Sequence, residues 1–281
     1  MSIRTAALLA LVGTAGVAAA TALPSRADNA APPAATTTVV STTTTTTTTT
    51  AAPVTTTTTA APAKTKKSLA SSARAVRVES VFPAAGQLLV PKTVVRLTPN
   101  PHARIIRVLT QFRPDFRVQE ILAMSTRTGT DGKPWYRINL PMRPNGTYGW
   151  IPARIVSLAP TVSQIVVHRS ARTIDVYFHG KHALHAIVAI GAPGMETPLG
   201  HFYVQVRFVP DDPFLGVFAL ETSAYSKLSE WPGGGVVGIH GTSAPQLLGQ
   251  AVSHGCVRVS NQTASALRRL APVGTPIWVT N

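Results

Sequence analysis

The sequence predicts a mainly β protein in which a small barrel precedes a larger β-sandwich-like domain with one short helix. From residue 75 onward, short runs rich in Val, Ile, Thr and aromatic residues alternate with turn residues, as is typical of strands. Only residues 262–270 place apolar side chains at helical spacing. At 281 residues the chain exceeds the usual size of one domain, which predicts about two folded domains.

The first 27 residues have the layout of a secretory signal peptide. Arg4 precedes an apolar run over residues 6–23, and Ser25-Arg26-Ala27 is a small-x-small cleavage site. An uncleaved membrane anchor is the alternative, because an apolar run of this length can just cross a bilayer. No later segment is apolar enough to cross, so we expect a secreted protein of a bacterial cell wall or periplasm-like space, with no stable membrane insertion after cleavage.

Residues 28–74 are predicted to form a disordered linker. They consist mainly of Thr, Ala, Pro and Val, include an unbroken Thr tract over residues 42–50, and contain no aromatic side chain that could build a core. Stretched out, its Thr-, Ala- and Pro-rich part over residues 30–63 reaches roughly 100 Å. We therefore expect a spacer that could cross wall material.

Residues 75–160 are predicted to form the small barrel. Four β-type runs are evident, at residues 92–97, 104–109, 135–140 and 148–151. Asn145-Gly146, between the last two, predicts a hairpin turn and also fits a glycosylation acceptor pattern with Thr147. The stretch from Trp135 to Ile151 resembles the end of a bacterial SH3-like domain, a module often attached to wall enzymes.

Positive charge is concentrated upstream of the second domain. Residues 64–160 hold 16 Lys and Arg against 4 Asp and Glu, a balance of +12, whereas residues 161–281 hold 8 against 6, a balance of +2. Such a block attracts polyanions. In an exported protein without a nucleic-acid motif, the expected partner is an anionic wall polymer and not nucleic acid. An ordinary solvated basic surface is the alternative.

Residues 161–281 are predicted to form the larger β domain. Its β-type runs lie at residues 165–167, 173–178, 186–190, 202–206 and 277–279. The predicted helix over residues 262–270 follows Ser260-Asn261, a plausible N-terminal cap.

The chemistry-bearing residues gather between positions 238 and 261. Cys256 is the only cysteine, so an exported chain must keep it either as an inert buried thiol or for its reactivity. A thiol needs a neighbouring imidazole to act as a thiolate at neutral pH, and His240 and His254 are both close in sequence. Gly255 permits a tight turn that aims backbone amides at one point. Arg258 would face the same side as Cys256 and could bind a carboxylate.

These segments resemble the L,D-transpeptidase (YkuD-type) family. The resemblance rests on Gly-Ile-His-Gly-Thr at residues 238–242 and Ser-His-Gly-Cys-Val-Arg at residues 253–258. Thr-Pro-Leu-Gly-His-Phe at residues 197–202 and the stretch over residues 272–276 extend it. It covers residues 161–281 and implies that this region is the catalytic domain, with the short helix following the nucleophile.

The resemblance implies a role for each motif residue. Cys256 is the nucleophile and His240 the base, with the backbone carbonyl of Gly241 orienting the imidazole. The backbone amides of Gly255 and Cys256 supply an oxyanion hole. Four residues are assigned to substrate binding or to holding the loop: Ser253, His254, Arg258 and Asn261.

The implied reaction is peptidoglycan cross-linking without a metal or organic cofactor. Cys256 attacks the third residue of a tetrapeptide stem, D-alanine leaves, and the thioester is resolved by the side-chain amine of a neighbouring stem's third residue, giving a 3,3 cross-link. Water could resolve the same thioester instead, which would make the protein an L,D-carboxypeptidase. A non-catalytic wall-binding protein is a third reading, although a binder has no use for an unpaired exported thiol. Papain-like wall peptidases place Cys before His, the reverse of the order here.

The remaining histidines have simpler interpretations. His240, His254 and Cys256 could instead hold zinc, with His201 as a candidate fourth ligand. The other histidines of the β domain are interpreted as surface or structural residues: His168, His179, His182 and His185.

Overall fold

The computed structural model describes residues 82–230 and 232–281. The predicted signal peptide, the predicted linker and residues 75–81 lie outside the described residues. Within them the protein consists of β-strands and one α-helix. The prediction of a mainly β protein with a short helix after Cys256 is confirmed.

The N-terminal sheet has seven strands in the order β3-β2-β6-β5-β4-β1-β7, and every neighbouring pair is antiparallel. Its strands are β1 (Ala84–Leu88), β2 (Lys92–Arg96), β3 (Ile105–Thr110), β4 (Glu120–Thr128), β5 (Pro134–Asn139), β6 (Tyr148–Pro152) and β7 (Val156–Pro160). Alternate side chains build a core of its own, which includes Leu88, Val95, Ile121, Ile138 and Ile151. Its assignment as an SH3-like barrel stays a prediction.

The connection between β5 and β6 is longer than the predicted Asn-Gly hairpin turn. Strand pairing ends at Asn139↔Tyr148, so residues 140–147 form the loop. Gly146 has a positive φ of 77°, as expected for glycine in a turn. Asn145, however, uses its side chain to bond the backbone of Tyr225 in the other sheet twice, at 2.7 and 3.0 Å. This loop therefore serves as a docking element, a role that local turn signals do not reveal.

The C-terminal domain contains an eight-stranded mixed sheet in the order β10-β9-β8-β17-β12-β13-β14-β16, and β11 and β15 form a separate parallel pair. Its strands are β8 (Ser163–His168), β9 (Thr173–Phe178), β10 (Lys181–Ile187), β11 (Ile190–Gly191), β12 (Gly200–Phe208), β13 (Ala219–Tyr225), β14 (Val236–His240), β15 (Ala251–Ser253), β16 (Val257–Arg258) and β17 (Pro276–Thr280). Residues buried between these elements form one continuous core, which includes Ile165, Val176, Val204, Leu220 and Ile239.

Helix α1 (Asn261–Leu270) begins one residue before the predicted start. Ser260 caps it, because its hydroxyl accepts a hydrogen bond from the Thr263 N–H at 3.0 Å. Ala264 and Leu267 face the core, as their spacing predicts. Within the described residues, no helix is both long and apolar enough to span a bilayer.

Polar contacts join the two sheets. Asn139 donates to the carbonyl of His201 at 2.9 Å, and the hydroxyl of the buried Tyr203 donates to the carbonyl of Glu120 at 3.1 Å. Burial raises the pKa of the Glu120 carboxyl to about 7. Arg113 forms a 2.5 Å ion pair with Glu221 of β13. The N-terminal domain thus contacts strands β12 and β13 of the C-terminal domain directly.

Candidate active site

Two adjacent strands bring Cys256 and His240 together. Strand β14 ends at His240, and β16 begins immediately after Cys256. These strands pair in parallel with Ile239 opposite Val257, so Cys256 lies beside Gly238. The Gly238 N–H donates to the Cys256 Sγ at 3.3 Å.

Gly238 leaves open the space between thiol and imidazole. A Cβ added there would lie 3.7 Å from the His240 Cδ2 and 3.9 Å from the Cys256 Sγ. Both reactive side chains therefore border the position that any side chain at residue 238 would occupy. Glycine in the 238–242 segment keeps this space free for a reacting group.

His240 is held as a neutral base. It is 3% exposed, and its Nδ1 lies 2.6 Å from the carbonyl oxygen of Gly241. A carbonyl can only accept, so Nδ1 carries the proton and Nε2 is left with a lone pair. Burial lowers the pKa of His240, and the charge of Arg258 lowers it further, against the opposing effect of the Gly241 hydrogen bond. The sequence-based role of Gly241 agrees with this geometry.

Cys256 is a partly exposed free thiol, and its surroundings shift the pKa of that thiol. Burial raises the pKa of the Cys256 thiol, while the Gly238 N–H and Arg258 act in the opposite direction. The net direction is upward. These two directions favour a neutral thiol beside a neutral imidazole, as expected if His240 removes the Cys256 proton only during the reaction.

Two buried hydroxyls hold the loop that carries Cys256. Ser253 donates to the Cys256 carbonyl at 2.6 Å and accepts from the Gly255 N–H at 3.1 Å. Thr197, from the 197–202 segment, donates to the Gly255 carbonyl at 2.9 Å and accepts from the Gly191 N–H at 3.0 Å. Both side chains are 1% exposed. The upstream motif thus acts as a clamp on the nucleophile loop.

These contacts correct two sequence-based expectations. Ser253 was expected to bind substrate, but a side chain with 1% exposure and two loop partners has no free surface for it. The Gly255 N–H was expected to stabilise an oxyanion, but it already donates to Ser253. Gly255 is needed for its positive φ of 116° and for close packing, because an added Cβ would lie 2.9 Å from the Cβ of Ser226.

Arg258 lies inside the site. It is 7% exposed, its guanidinium carbon lies 4.7 Å from the centre of the Phe214 ring, and its Nε is buried with no hydrogen-bond partner among the described residues. Its backbone bonds Ala189 in both directions, at 2.8 and 2.9 Å. A buried guanidinium with unused donor capacity is suited to a carboxylate ligand.

Asn261 and His254 were assigned to substrate binding or to holding the loop, and the contacts of Asn261 are of the second kind. Asn261 accepts a hydrogen bond from the Val217 N–H at 3.2 Å and packs against Gly216 and Gly241. It therefore joins helix α1 to the loop that bears Phe214, and it acts as a support. His254 is half-buried next to the nucleophile.

A cavity of about 380 Å³ opens onto Cys256 and His240. Its walls also include Asp212, Phe214, Leu215, Glu221 and Val236. Sequence reasoning missed these wall residues because they come from β13, the start of β14 and the 209–217 loop, none of which carries a recognisable motif. The Phe214 ring is centred 6.3 Å from the His240 ring, so this loop forms one side of the entrance.

Comparison with known protein families gives a match to the C-terminal part of the chain, which contains this site. Residues 163–279 match the family model described as YkuD, the L,D-transpeptidase catalytic domain. This region is similar to L,D-transpeptidase catalytic domains of the YkuD type. It contains all the residues discussed above, including Cys256, His240 and Arg258.

Similar proteins come from several bacteria. The YkuD protein of Bacillus licheniformis, provisionally assigned as an L,D-transpeptidase, is 31% identical over 42% of this chain and 65% of its own length. The YkuD protein of Bacillus subtilis, assigned in the same way, is 31% identical over 41% of this chain and 64% of its own length. The chain thus spans slightly less than two thirds of these relatives. An L,D-transpeptidase structure from Mycobacterium smegmatis aligns with a TM-score of 0.35 and 17% identity, over 53% of this chain and 90% of that one.

The C-terminal domain also contains a feature that the sequence did not predict. Three histidines that were interpreted as surface or structural residues, His168, His182 and His185, converge on Asp175. The fourth, His179, is exposed and packs against Phe178. Asp175, His182 and His185 are the one group with metal-ligand spacing within the described residues, whereas the alternative of zinc at Cys256 is not supported by such a grouping there.

Proposed function

We propose that the protein is a cysteine-dependent acyltransferase that forms 3,3 cross-links between peptidoglycan stem peptides. The observation that carries this proposal is the shared cavity of Cys256 and His240, with Gly238 open between them and Nδ1 of His240 committed to Gly241. The family match of residues 163–279 supports peptidoglycan stems as the substrate class.

In the first step Cys256 is acylated. His240 Nε2 takes the Sγ proton as sulfur bonds to the carbonyl carbon of the donor stem's third residue. The tetrahedral intermediate collapses as the C–N bond to D-alanine breaks, and His240 returns the proton to the departing amine. A thioester remains on Cys256.

In the second step the thioester is transferred. The neutral side-chain amine of a neighbouring stem's third residue attacks the thioester carbon, and His240 takes a proton from the attacking nitrogen. The C–S bond breaks, and Sγ regains its proton from His240. Attack by water in place of the amine would give the carboxypeptidase outcome.

Two groups support the charges that develop. Arg258 brings a buried positive charge and a free Nε to the site, which suits the carboxylate of a stem peptide. Because Gly255 donates to Ser253, the backbone N–H of Cys256 is the one of the two expected oxyanion donors that remains, while the Gly238 N–H stabilises the sulfur.

A carbapenem tests the nucleophile. Opening of the β-lactam ring by Cys256 should add the full mass of the inhibitor to the intact protein, and Cys256→Ala should show no addition while retaining its melting temperature. Absence of an adduct on the wild-type protein would contradict the mechanism.

Tetrapeptide stems test the acceptor. Mass spectrometry should detect a stem dimer that has lost one D-alanine. A tripeptide alone would establish the carboxypeptidase alternative, and unchanged stems would leave a wall-binding role.

We further propose that the basic N-terminal sheet binds anionic wall polymer. Arg104 and Arg107 are exposed at the edge strand β3. The double variant Arg104→Glu/Arg107→Glu should bind purified sacculi less than wild type does, and the difference should shrink with salt, since exposed charges are screened over about 10 Å at 0.1 M. Arg268→Glu/Arg269→Glu on helix α1 is the matched control. Equal loss from both variants, or no loss from either, would overturn the assignment.

A further inference from the structure

Three imidazoles surround one carboxylate at the β10 end of the catalytic sheet. The Asp175 Oδ1 lies 2.6 Å from His182 Nε2 and 2.8 Å from His185 Nδ1, and its Oδ2 lies 3.0 Å from His168 Nε2. Three adjacent strands, β8, β9 and β10, supply these residues. The cluster is therefore a tertiary arrangement and not a consequence of one local turn.

A strand irregularity aims two of the histidines at the same point. Side chains three positions apart on a regular strand point to opposite faces of the sheet. The pairing of β10 with β9 shifts register between His182 and Leu184, which inserts one extra residue. This β-bulge turns His182 to the face on which His185 lies opposite Asp175. Bulges of this kind often re-aim a side chain at a functional site.

Neighbouring side chains outside the cluster fix the orientation of two of its histidines. The Tyr177 ring packs edge-on against His182 with centroids 5.3 Å apart. The second ring nitrogen of His168 lies 3.3 Å from the hydroxyl of Thr280. Ligands of a bound metal typically have such outer partners, which fix their orientation.

The donor set has the chemistry of a transition-metal site. Imidazole nitrogen and carboxylate oxygen are both ligands of zinc, at about 2.0 to 2.2 Å. The ligand atoms of Asp175, His182 and His185 all lie within 4.8 Å of one another, so a small widening of the present contacts would admit an ion. Asp175 is 13% exposed, whereas the His182 and His185 side chains are 49% and 56% exposed, which gives an ion access from solvent.

We propose that Asp175, His182 and His185 bind a divalent transition-metal ion of the zinc type, while His168 holds the second carboxylate oxygen of Asp175 from outside. None of these four residues lines the cavity that Cys256 and His240 share, so the proposal places the ion outside the reaction at Cys256. It would instead tie the exposed edge strand β10 to β9. Binding to the folded state alone raises stability in proportion to the logarithm of the ion concentration.

Calorimetric titration of untagged, chelator-treated protein with Zn²⁺ tests the site. We expect one ion per chain and a melting temperature that rises with Zn²⁺. The variant His182→Ala/His185→Ala should weaken binding by more than about 100-fold, since even loss of an outer partner costs about 10- to 100-fold. His168→Ala, which removes only the outer contact to Asp175, should show that smaller loss.

Two controls separate this site from others. His102→Ala/His179→Ala removes two exposed histidines away from the cluster and should leave binding unchanged. Cys256→Ala should also leave it unchanged, and the Co²⁺ form of the wild type should lack a thiolate charge-transfer band. Undetectable binding at micromolar Zn²⁺, binding that survives loss of His182 and His185, or binding lost with Cys256 would each overturn the proposal.

Discussion

The two ends of the catalytic sheet both carry histidines, but they place them in opposite environments. At the β14 end, His240 is 3% exposed and its Nδ1 meets a neutral carbonyl. At the β10 end, His182 and His185 are about half exposed and meet the carboxylate of Asp175. Burial beside a neutral acceptor favours an uncharged imidazole at His240, as the proposed base requires. A carboxylate within hydrogen-bond distance of two exposed imidazoles instead forms the proposed set of metal ligands.

The largest expected effect comes from replacing the histidines at each end of the sheet with alanine and comparing the two variants. His240→Ala should lower the rate of Cys256 acylation at neutral pH by about 10² to 10⁴, the usual contribution of a positioned base. His182→Ala/His185→Ala should leave that rate within about twofold of wild type, because these residues lie at the other sheet end. Carbapenem acylation followed by stopped-flow fluorescence measures both. His254→Ala should fall between them, and a larger loss there than at His240 would reassign the base.

The pH dependence of the reactions of Cys256 tests whether Cys256 and His240 rest in their neutral forms. Because burial lowers the pKa of His240, the neutral base persists as pH falls, and acylation by a carbapenem should continue below about pH 6.5, the ordinary histidine value. Because burial raises the pKa of Cys256, alkylation by iodoacetamide should be slow at pH 7 and should rise only above about pH 8.5. Fast alkylation already at pH 6 would instead indicate a preformed thiolate–imidazolium pair.

A smaller effect is expected at the clamp on the nucleophile loop. Thr197→Val keeps the shape of the side chain but leaves the Gly191 N–H and the Gly255 carbonyl without their buried partner. Such losses cost about 1 to 3 kcal/mol in stability, and the freed loop should slow acylation. Thermal unfolding and acylation rates measure the two effects. Thr128→Val, at an exposed position of β4, is the control and should change neither.

The smallest expected effect concerns the contact between the sheets. Arg113 pairs with Glu221, which lines the cavity, and also donates to Gln205 at 3.1 Å. Arg113→Ala should cost about 1 kcal/mol of stability and shift KM for stem peptides more than kcat. Arg117→Ala, whose ion pair with Asp115 is exposed, provides the matched comparison. Equal effects from the two variants would show that the N-terminal sheet does not support the cavity.

The sequence by itself determined the mainly β class and the helix after Cys256, and it singled out Cys256 and His240 as the proposed reactive pair. These features depend on local patterns: alternating β-type runs, the Ser260 cap and the close spacing of glycine, histidine and cysteine. Strands without such patterns were missed. β4 begins at Glu120, and β13 contains Glu221, Thr222 and Ser223, so both are strands because of their neighbours and not because of their own residues.

Only the tertiary structure decided how the remaining polar groups are used. Whether Ser253 meets a substrate or its own loop, and whether the Gly255 N–H is free, depends on contacts within a folded turn. The cluster at Asp175 requires three strands and a bulge whose register no local sequence signal specifies. Hydrogen bonds and burial are set by residues that lie far apart in the chain. The sequence around a histidine therefore does not show whether the fold buries it beside a carbonyl, as at His240, or exposes it beside a carboxylate, as at His182.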